Sequence, residues 1–213
     1  MSDGSLSQDE IDALLQGTGD MDFSGGGGGG AQPGGAGVGE QETENFRNLL
    51  VGTVESQKSN FSMLLSKSVT LKAPSAQVSN QSQFTGNMSG SMVQVDLDFS
   101  DGVTGRHLYL MNEQTALAIA GAMMGQDGVE LDEAAMNALQ EAFSQVSGPV
   151  ITAIGDKAGE TIMTSTPEAK TVGTDNVSLP DGDFVALTYQ FALEDGEQAE
   201  IYEIYDSGIV QNA

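Results

Sequence analysis

Apolar side chains recur along this chain in two periods, and the switches between them mark out its elements. From near Gln41, the residues Phe46, Leu50, Val54, Gln57, Phe61 and Leu64 return at three- and four-residue steps, which predicts one long amphipathic helix. Val69-Thr70-Leu71-Lys72 alternates before Pro74 and reads as a strand. Alternation returns over residues 92–99, Ser100-Asp101-Gly102 supplies a turn, and residues 107–110 form a second strand. Asn112 is placed to cap a helix through Ala116, Leu117, Ile119 and Ala120 to Gly125. Asp132 opens a further long helix whose inward stripe is Met136, Leu139, Phe143, Val146 and Val150. Pro149 removes a backbone donor from that helix and is expected to bend or break it. Strands are expected over 161–165, 184–193 and 199–205, with Glu194-Asp195-Gly196 as the hairpin turn.

The body repeats when laid over itself with a shift of about 92–93 positions. Val69 then falls on Ile162, and Met92–Gly102 on Phe184–Gly196 with a small adjustment at the turn. Two copies of helix, strand and hairpin, about 41–127 and 131–213, imply an α/β (α+β) fold with pseudo-twofold symmetry. The expectation is one β-sheet covered by the two long helices.

Ahead of this body lies a short pattern of a different kind. Ser7 and Glu10 have capping-box spacing, and Leu6 and Ile11 form the two ends of a hydrophobic staple. Ile11, Leu14 and Leu15 repeat at helical spacing, and Asp9, Glu10 and Asp12 occupy the first turn, where the helix dipole favours negative charge. A helix this short is marginal alone in water, so its apolar edge needs an acceptor. The residues leave two acceptors open: the chain's own body, or the groove of a partner. Residues 18–40 are glycine-rich, with Gly25 to Gly30 unbroken, and form a linker rather than a packed element. As a flexible coil, about 25 residues span roughly 25–30 Å. The organisation is therefore 1–17 peptide, 18–40 linker and 41–213 body.

Charge narrows the partners. Lys and Arg total 7 against 31 Asp and Glu, a formal charge of −24. Phosphate backbones and anionic lipid surfaces repel such a chain, so neither nucleic-acid binding nor membrane insertion is expected, whereas a basic protein face is complementary. The absence of cysteine removes disulfides, thiolate nucleophiles and thiolate metal sites. The single histidine, His107, lies in a strand pattern and is expected to be structural, so no metal site is expected. No apolar run is long enough to span a bilayer and no secretory leader precedes the body, so a cytoplasmic protein is expected.

The outward faces of the two long helices carry the remaining candidates. On the second, Asn137, Glu141, Ser144 and Gly148 are spaced four, three and four apart and share one side. Under the repeat their counterparts on the first are Glu44, Asn48, Val51 and Glu55. By residue type alone these are ordinary solvated helix positions.

Two resemblances add to this. The ten residues LSQDEIDALL, Leu6 to Leu15 and including Gln8, resemble the N-terminal segment of flagellar switch proteins of the FliM and FliY type. In those proteins the segment captures the phosphorylated response regulator CheY. NALQEAFSQVSGPVITAIG (Asn137–Gly155), with ALAIAGAMMGQDG (Ala116–Gly128) before it, is similar to the CheC family of phosphatases and the related FliY middle domain. That likeness covers most of the body and implies a CheC-like fold. In the family each half carries a Glu and, three residues on, an Asn. The Glu engages a basic residue of the bound regulator, and the Asn holds water in line with the aspartyl phosphate. The protein would need no cofactor of its own, because the regulator brings its own Mg²⁺.

This chain departs from that pattern at both sites. Glu141 matches the family's Glu, but Ser144 occupies the Asn position. In the first half Asn48 stands where Glu is expected, and Val51, which cannot orient water, stands where Asn is expected. Serine's reach falls short of a carboxamide's, and displacement of a bridging water by about an ångström can cost on the order of a hundredfold. The family pattern thus reduces to Glu141 as a remaining contact and Ser144 as a weak substitute. Proteins of the FliY type continue into a small β-rich rotor-assembly domain, whereas this sequence stops at Ala213. Two functions are carried forward from the resemblance. The favoured one binds phosphorylated CheY through the N-terminal peptide, with the body as docking and assembly platform beside other rotor switch proteins at the flagellar basal body. The alternative is a CheY-phosphate phosphatase that ends the chemotaxis signal.

Overall fold

In the computed structural model, which describes residues 37–86, 88–194 and 196–213, the hydrophobic pattern resolves into a layered α/β unit. The N-terminal peptide, Leu6 to Leu15, lies outside the described residues, as does most of the glycine-rich linker. The unit runs from Gly37 to Ala213.

The first expected long helix is two helices, α1 (Glu40–Val51) and α2 (Val54–Leu65). They part at Gly52 and Thr53, where the Thr53 hydroxyl donates to Leu50 O at 2.7 Å and Gln57 Nε2 donates to the Thr53 hydroxyl at 2.8 Å. Phe46, Leu50, Val54, Gln57 and Phe61 keep the inward stripe, and it ends at Leu65 rather than at half-buried Leu64. The long helix α5 (Glu133–Ala158) follows α3 (Gln81–Thr85) and α4 (Glu113–Met124), and α6 (Ser207–Asn212) comes after it. Asn112 Oδ1 caps α4 by accepting from Thr115 N at 2.7 Å, and Asp132 Oδ1 caps α5 by accepting from Ala135 N at 2.9 Å, as the spacing predicts. Of the bend or break expected at Pro149, the break does not occur: α5 runs unbroken across it.

Among the described residues nine strands form where fewer were read: β1 (Val69–Leu71), β2 (Ser75–Ser79), β3 (Ser91–Asp96), β4 (Phe99–Asp101), β5 (His107–Asn112), β6 (Met163–Thr164), β7 (Glu168–Gly173), β8 (Phe184–Leu193) and β9 (Ala199–Asp206). The main sheet runs β1-β8-β9-β5-β3-β7, with β2 also on β8, and β4 pairs with β6 in a separate two-stranded sheet. The expected single sheet is therefore a main sheet and a ribbon. The strand read over 92–99 breaks after Asp96, and Ser100 and Asp101, expected in a turn, lie in β4. Strands β2 and β7 escaped the sequence reading because they are edge strands of mixed polarity, SAQVS and EAKTVG, without clean alternation.

The order is symmetric about the central antiparallel pair, β5 and β9, in which Tyr109 lies opposite Glu203. Each side of that pair carries an inner strand, β3 or β8, and an outer edge, β7 or β2. Helices α1 and α2 occupy the sequence span that falls on α5 under a shift of about 93 positions. One face of the sheet packs Val93, Tyr109, Leu187 and Phe191 against these helices. The other packs Met92, Leu108, Leu110, Phe184 and Ile204 under Phe84 of α3 and Val177 and Leu179. With cover on both faces, β3 and β5 are buried almost throughout.

Candidate functional site

The two helix faces singled out by the sequence meet different fates. On α1 the polar groups are occupied by one another. Arg47 Nη1 donates to Glu44 Oε1 at 3.0 Å and to Asn48 Oδ1 at 3.2 Å, while Arg47 Nε donates to Pro74 O at 2.8 Å. Asn48 is thereby tied to a neighbour on its own helix. Val51 is half-buried and offers no polar atom.

On α5 the polar row faces a seam. Glu141 is exposed and accepts from Gln145 Nε2 one turn on. Ser144 makes no side-chain hydrogen bond among the described residues. It lines a cavity of about 290 Å³ between α2 and α5, with Asn60, Met63, Leu64, Gln145 and Gly148. Asn60 crosses the seam, donating from Nδ2 to Gln145 O at 3.0 Å. Met63 stands beside it at 72% exposure, an unusual degree for a large apolar side chain. The structure thus brings Glu141 and Ser144 to one face, and adds Asn60 and Met63 from the other helix. Asn137 shares the exposed side of α5 one turn before Glu141. No spacing within one helix could have nominated Asn60, because its place depends on how α2 and α5 pack.

Beneath this face lies a second polar cluster, wholly buried. Glu203 Oε1 accepts from the Tyr109 hydroxyl at 2.5 Å and the Tyr205 hydroxyl at 2.6 Å, and Oε2 accepts from the Tyr189 hydroxyl at 2.8 Å. His107 Nε2 lies 3.1 Å from Glu203 Oε1, and its Nδ1 lies 3.0 Å from Leu97 O. A carbonyl can only accept, so Nδ1 carries a proton there. Burial pushes the Glu203 carboxyl upward, but the hydrogen bond and charge of His107, with the hydroxyls of Tyr109 and Tyr205, outweigh it and hold the group below its ordinary value. His107 is structural, as its strand position suggested. Its partner Glu203 was not singled out from the sequence.

The same burial acts on the phenols. Tyr109, Tyr189 and Tyr205 are raised by desolvation and by the charge of Glu203, and Tyr202 by desolvation and its bond to Glu200. These are the 4 tyrosines of the chain. A phenol held high in the folded state contributes stability below the unfolded value near 10 and loses it as pH rises toward the folded value. Ultraviolet titration should therefore show no phenolate step near pH ~10 while the fold persists, and a joint step with alkaline unfolding. A separate step near that pH, with the far-ultraviolet dichroism intact, would contradict the buried network.

Among the described residues no group of His, Cys, Asp and Glu is placed to hold a metal ion, and no helix is long and apolar enough to cross a membrane.

The fold defined by the seven-stranded sheet and its covering helices has counterparts among solved structures. It superposes on the crystal structure of FliY from Thermotoga maritima with a TM-score of 0.71 at 21% identity, covering 82% of this chain and 94% of that one. FliM in the FliG–FliM complex from Helicobacter pylori gives a TM-score of 0.66 at 13% identity, with 82% of this chain and 100% of that one covered. At the level of sequence, the chain is similar to the flagellar motor switch phosphatase FliY of Bacillus subtilis. The two are 29% identical over 221 residues, 99% of this chain and 55% of that protein. The chain thus spans about half the length of that curated relative. No family model matches the chain.

Proposed function

We propose that this protein acts in the flagellar switch and chemotaxis system, capturing phosphorylated CheY through residues 6–15 and docking it against the CheC-like body. The observation that carries the reading is the 29% identity to the motor switch phosphatase FliY over 99% of the chain, together with the LSQDEIDALL segment at residues 6–15. The charge balance supports it, since an acidic chain with Glu141 exposed on the seam favours a partner with a basic face. A glycine-rich leash of about 25 residues would hold a captured regulator near the body at an effective concentration on the order of millimolar. Any Mg²⁺ in such a complex belongs with the regulator. Other rotor switch proteins are further candidate partners, since the related FliM fold is found in complex with FliG.

The full chain should bind CheY activated by a phosphoryl mimic more tightly than inactive CheY. Ile11→Ala and Leu14→Ala should each weaken it by about tenfold, the worth of a buried aliphatic anchor. Titration calorimetry with the wild-type chain and both variants reads this directly. Equal affinity for both forms of CheY removes the signalling part of the proposal. The second reading is hydrolysis of the CheY phosphate, with Ser144, on the wall of the seam cavity, in the position of the family's water-holding residue; a CheY-phosphate lifetime left unchanged by the full chain rules it out.

A further inference from the structure

Pro149 lies in the interior of α5, which nonetheless runs unbroken from Glu133 to Ala158. A proline has no amide proton to give to the carbonyl four residues back, here Gln145 O, and its ring crowds that oxygen. The two residues before it loosen the helix further. Ser147 donates back to Phe143 O, an arrangement that bends helices. Gly148 is, after proline, the least favourable residue for a helix interior. Packing does not demand it: a Cβ there would meet nothing within 4 Å, whereas one on Gly155 of the same helix would meet Glu160 O at 2.7 Å. Ser147-Gly148-Pro149 thus has the composition of a joint, set inside the longest helix among the described residues.

The carbonyl that Pro149 leaves over finds its partner on another helix. Asn60 Nδ2 of α2 donates to Gln145 O at 3.0 Å. A side-chain amide from the first half of the fold takes the place of the backbone amide missing from the second. Asn60, Gln145 and Gly148 all line the cavity of about 290 Å³ between α2 and α5, so this bond borders open space rather than packed core. One turn before the joint the two helices are clamped by Phe61 and Phe143, whose rings meet edge-on with centroids 5.8 Å apart. The half of α5 ahead of the joint is held by that aromatic contact, and the joint itself by Asn60.

We propose that Ser147-Gly148-Pro149 is a hinge in α5 and that Asn60 of α2 is its latch. With the Asn60–Gln145 bond made, α5 is held continuous; with it broken, the helix opens at Pro149 and the seam cavity widens. The bond is neutral and partly exposed, so its net worth is about a tenfold factor in an equilibrium. A competing donor, or water entering the cavity, is enough to release a latch of that strength. The latch joins the two repeats of the body, so opening it changes how α2 lies against the helix that carries Glu141 and Ser144. The device lies within the body and does not depend on which partner docks there.

Amide hydrogen exchange on the full chain, read residue by residue by NMR, tests the latch. In a continuous α5 the amides of Val150, Ile151 and Thr152 bond to carbonyls on the far side of Pro149, so hinge opening exposes them first. Asn60→Ala should speed their exchange by about tenfold, while Leu139 and Phe143 keep wild-type rates. Asn60→Asp keeps the shape and loses the donor, and should match Asn60→Ala; wild-type exchange in Asn60→Asp would overturn a hydrogen-bonded latch. Pro149→Ala restores the missing amide, and in that background Asn60→Ala should change the same rates by less than about twofold. An equal effect of Asn60→Ala with and without the proline, or a rise spread evenly over α5, overturns the hinge. Pro149→Ala alone should slow exchange at Val150 to Thr152, and unchanged rates there overturn the hinge even if both Asn60 variants fail to fold.

Discussion

Glu203→Gln should destabilise the protein by about 3–5 kcal/mol at neutral pH, the cost of removing one member of a buried charged network. Four donors converge on that carboxylate: the hydroxyls of Tyr109, Tyr189 and Tyr205, and His107 Nε2. Glutamine matches the shape but must turn an NH₂ toward at least one of those donors, and the His107 proton loses its counter-charge. For a domain of this size the loss corresponds to a fall of roughly 10 °C in Tm. The pH dependence separates this from a packing defect. Glu203 is held below its ordinary value in the folded state, so its contribution is present above the unfolded value near 4.3 and lost as pH falls below it. The gap in Tm between wild type and Glu203→Gln should therefore be widest near neutrality and shrink on acidification below pH ~4. Thermal melts at several pH values decide it. A gap under about 1 kcal/mol at neutral pH, or one that grows in acid, contradicts an ionised Glu203 satisfied by these donors.

Periodicity was enough to place the helical faces and the inner strands, though not their breaks, because one buried stripe dictates each of them. Leu139, Phe143, Val146 and Val150 lie at helical spacing and are all buried. Asn112 and Asp132 announced their caps by residue type, since a short polar side chain ahead of an apolar run has few other uses. Edges and joints were harder. Val78 in β2 is exposed and the β7 residues are at most half-buried, so neither edge strand writes its pairing into its hydrophobicity. The break at Gly52 and Thr53 interrupts a stripe whose spacing continues through it. At the site, Glu141 and Ser144 were readable because they share one helix face. Asn60 was not, since its neighbour Gln145 is 85 positions away. Glu203 could have been found: Ile201, Glu203 and Tyr205 alternate on one face of β9, and a carboxylate in an inward register demands a buried partner.

The seam that carries Asn60 and Ser144 stands on the aromatic pair next to them in sequence, and Phe143→Ala should cost about 3–5 kcal/mol. Phe143 is fully buried, edge-on to Phe61 of α2 with ring centroids 5.8 Å apart, and 4.7 Å from the Tyr109 ring. Truncation leaves a cavity between α2, α5 and the sheet, lined by packed aromatic rings that cannot collapse into it. The loss therefore has a transfer part and a cavity part. The same change loosens both polar clusters, because Tyr109 bonds to Glu203, and its hydroxyl lies 3.2 Å from the Ser147 hydroxyl one turn beyond Phe143. Denaturant unfolding of Phe143→Ala, Phe61→Ala and the double variant measures the shared contact as a coupling of about 0.5–1.5 kcal/mol. Phe143→Leu should recover more than half of the loss, because volume rather than ring chemistry sets most of it. Additive single effects would mean that the two helices pack independently of these rings, and the seam would then need another support.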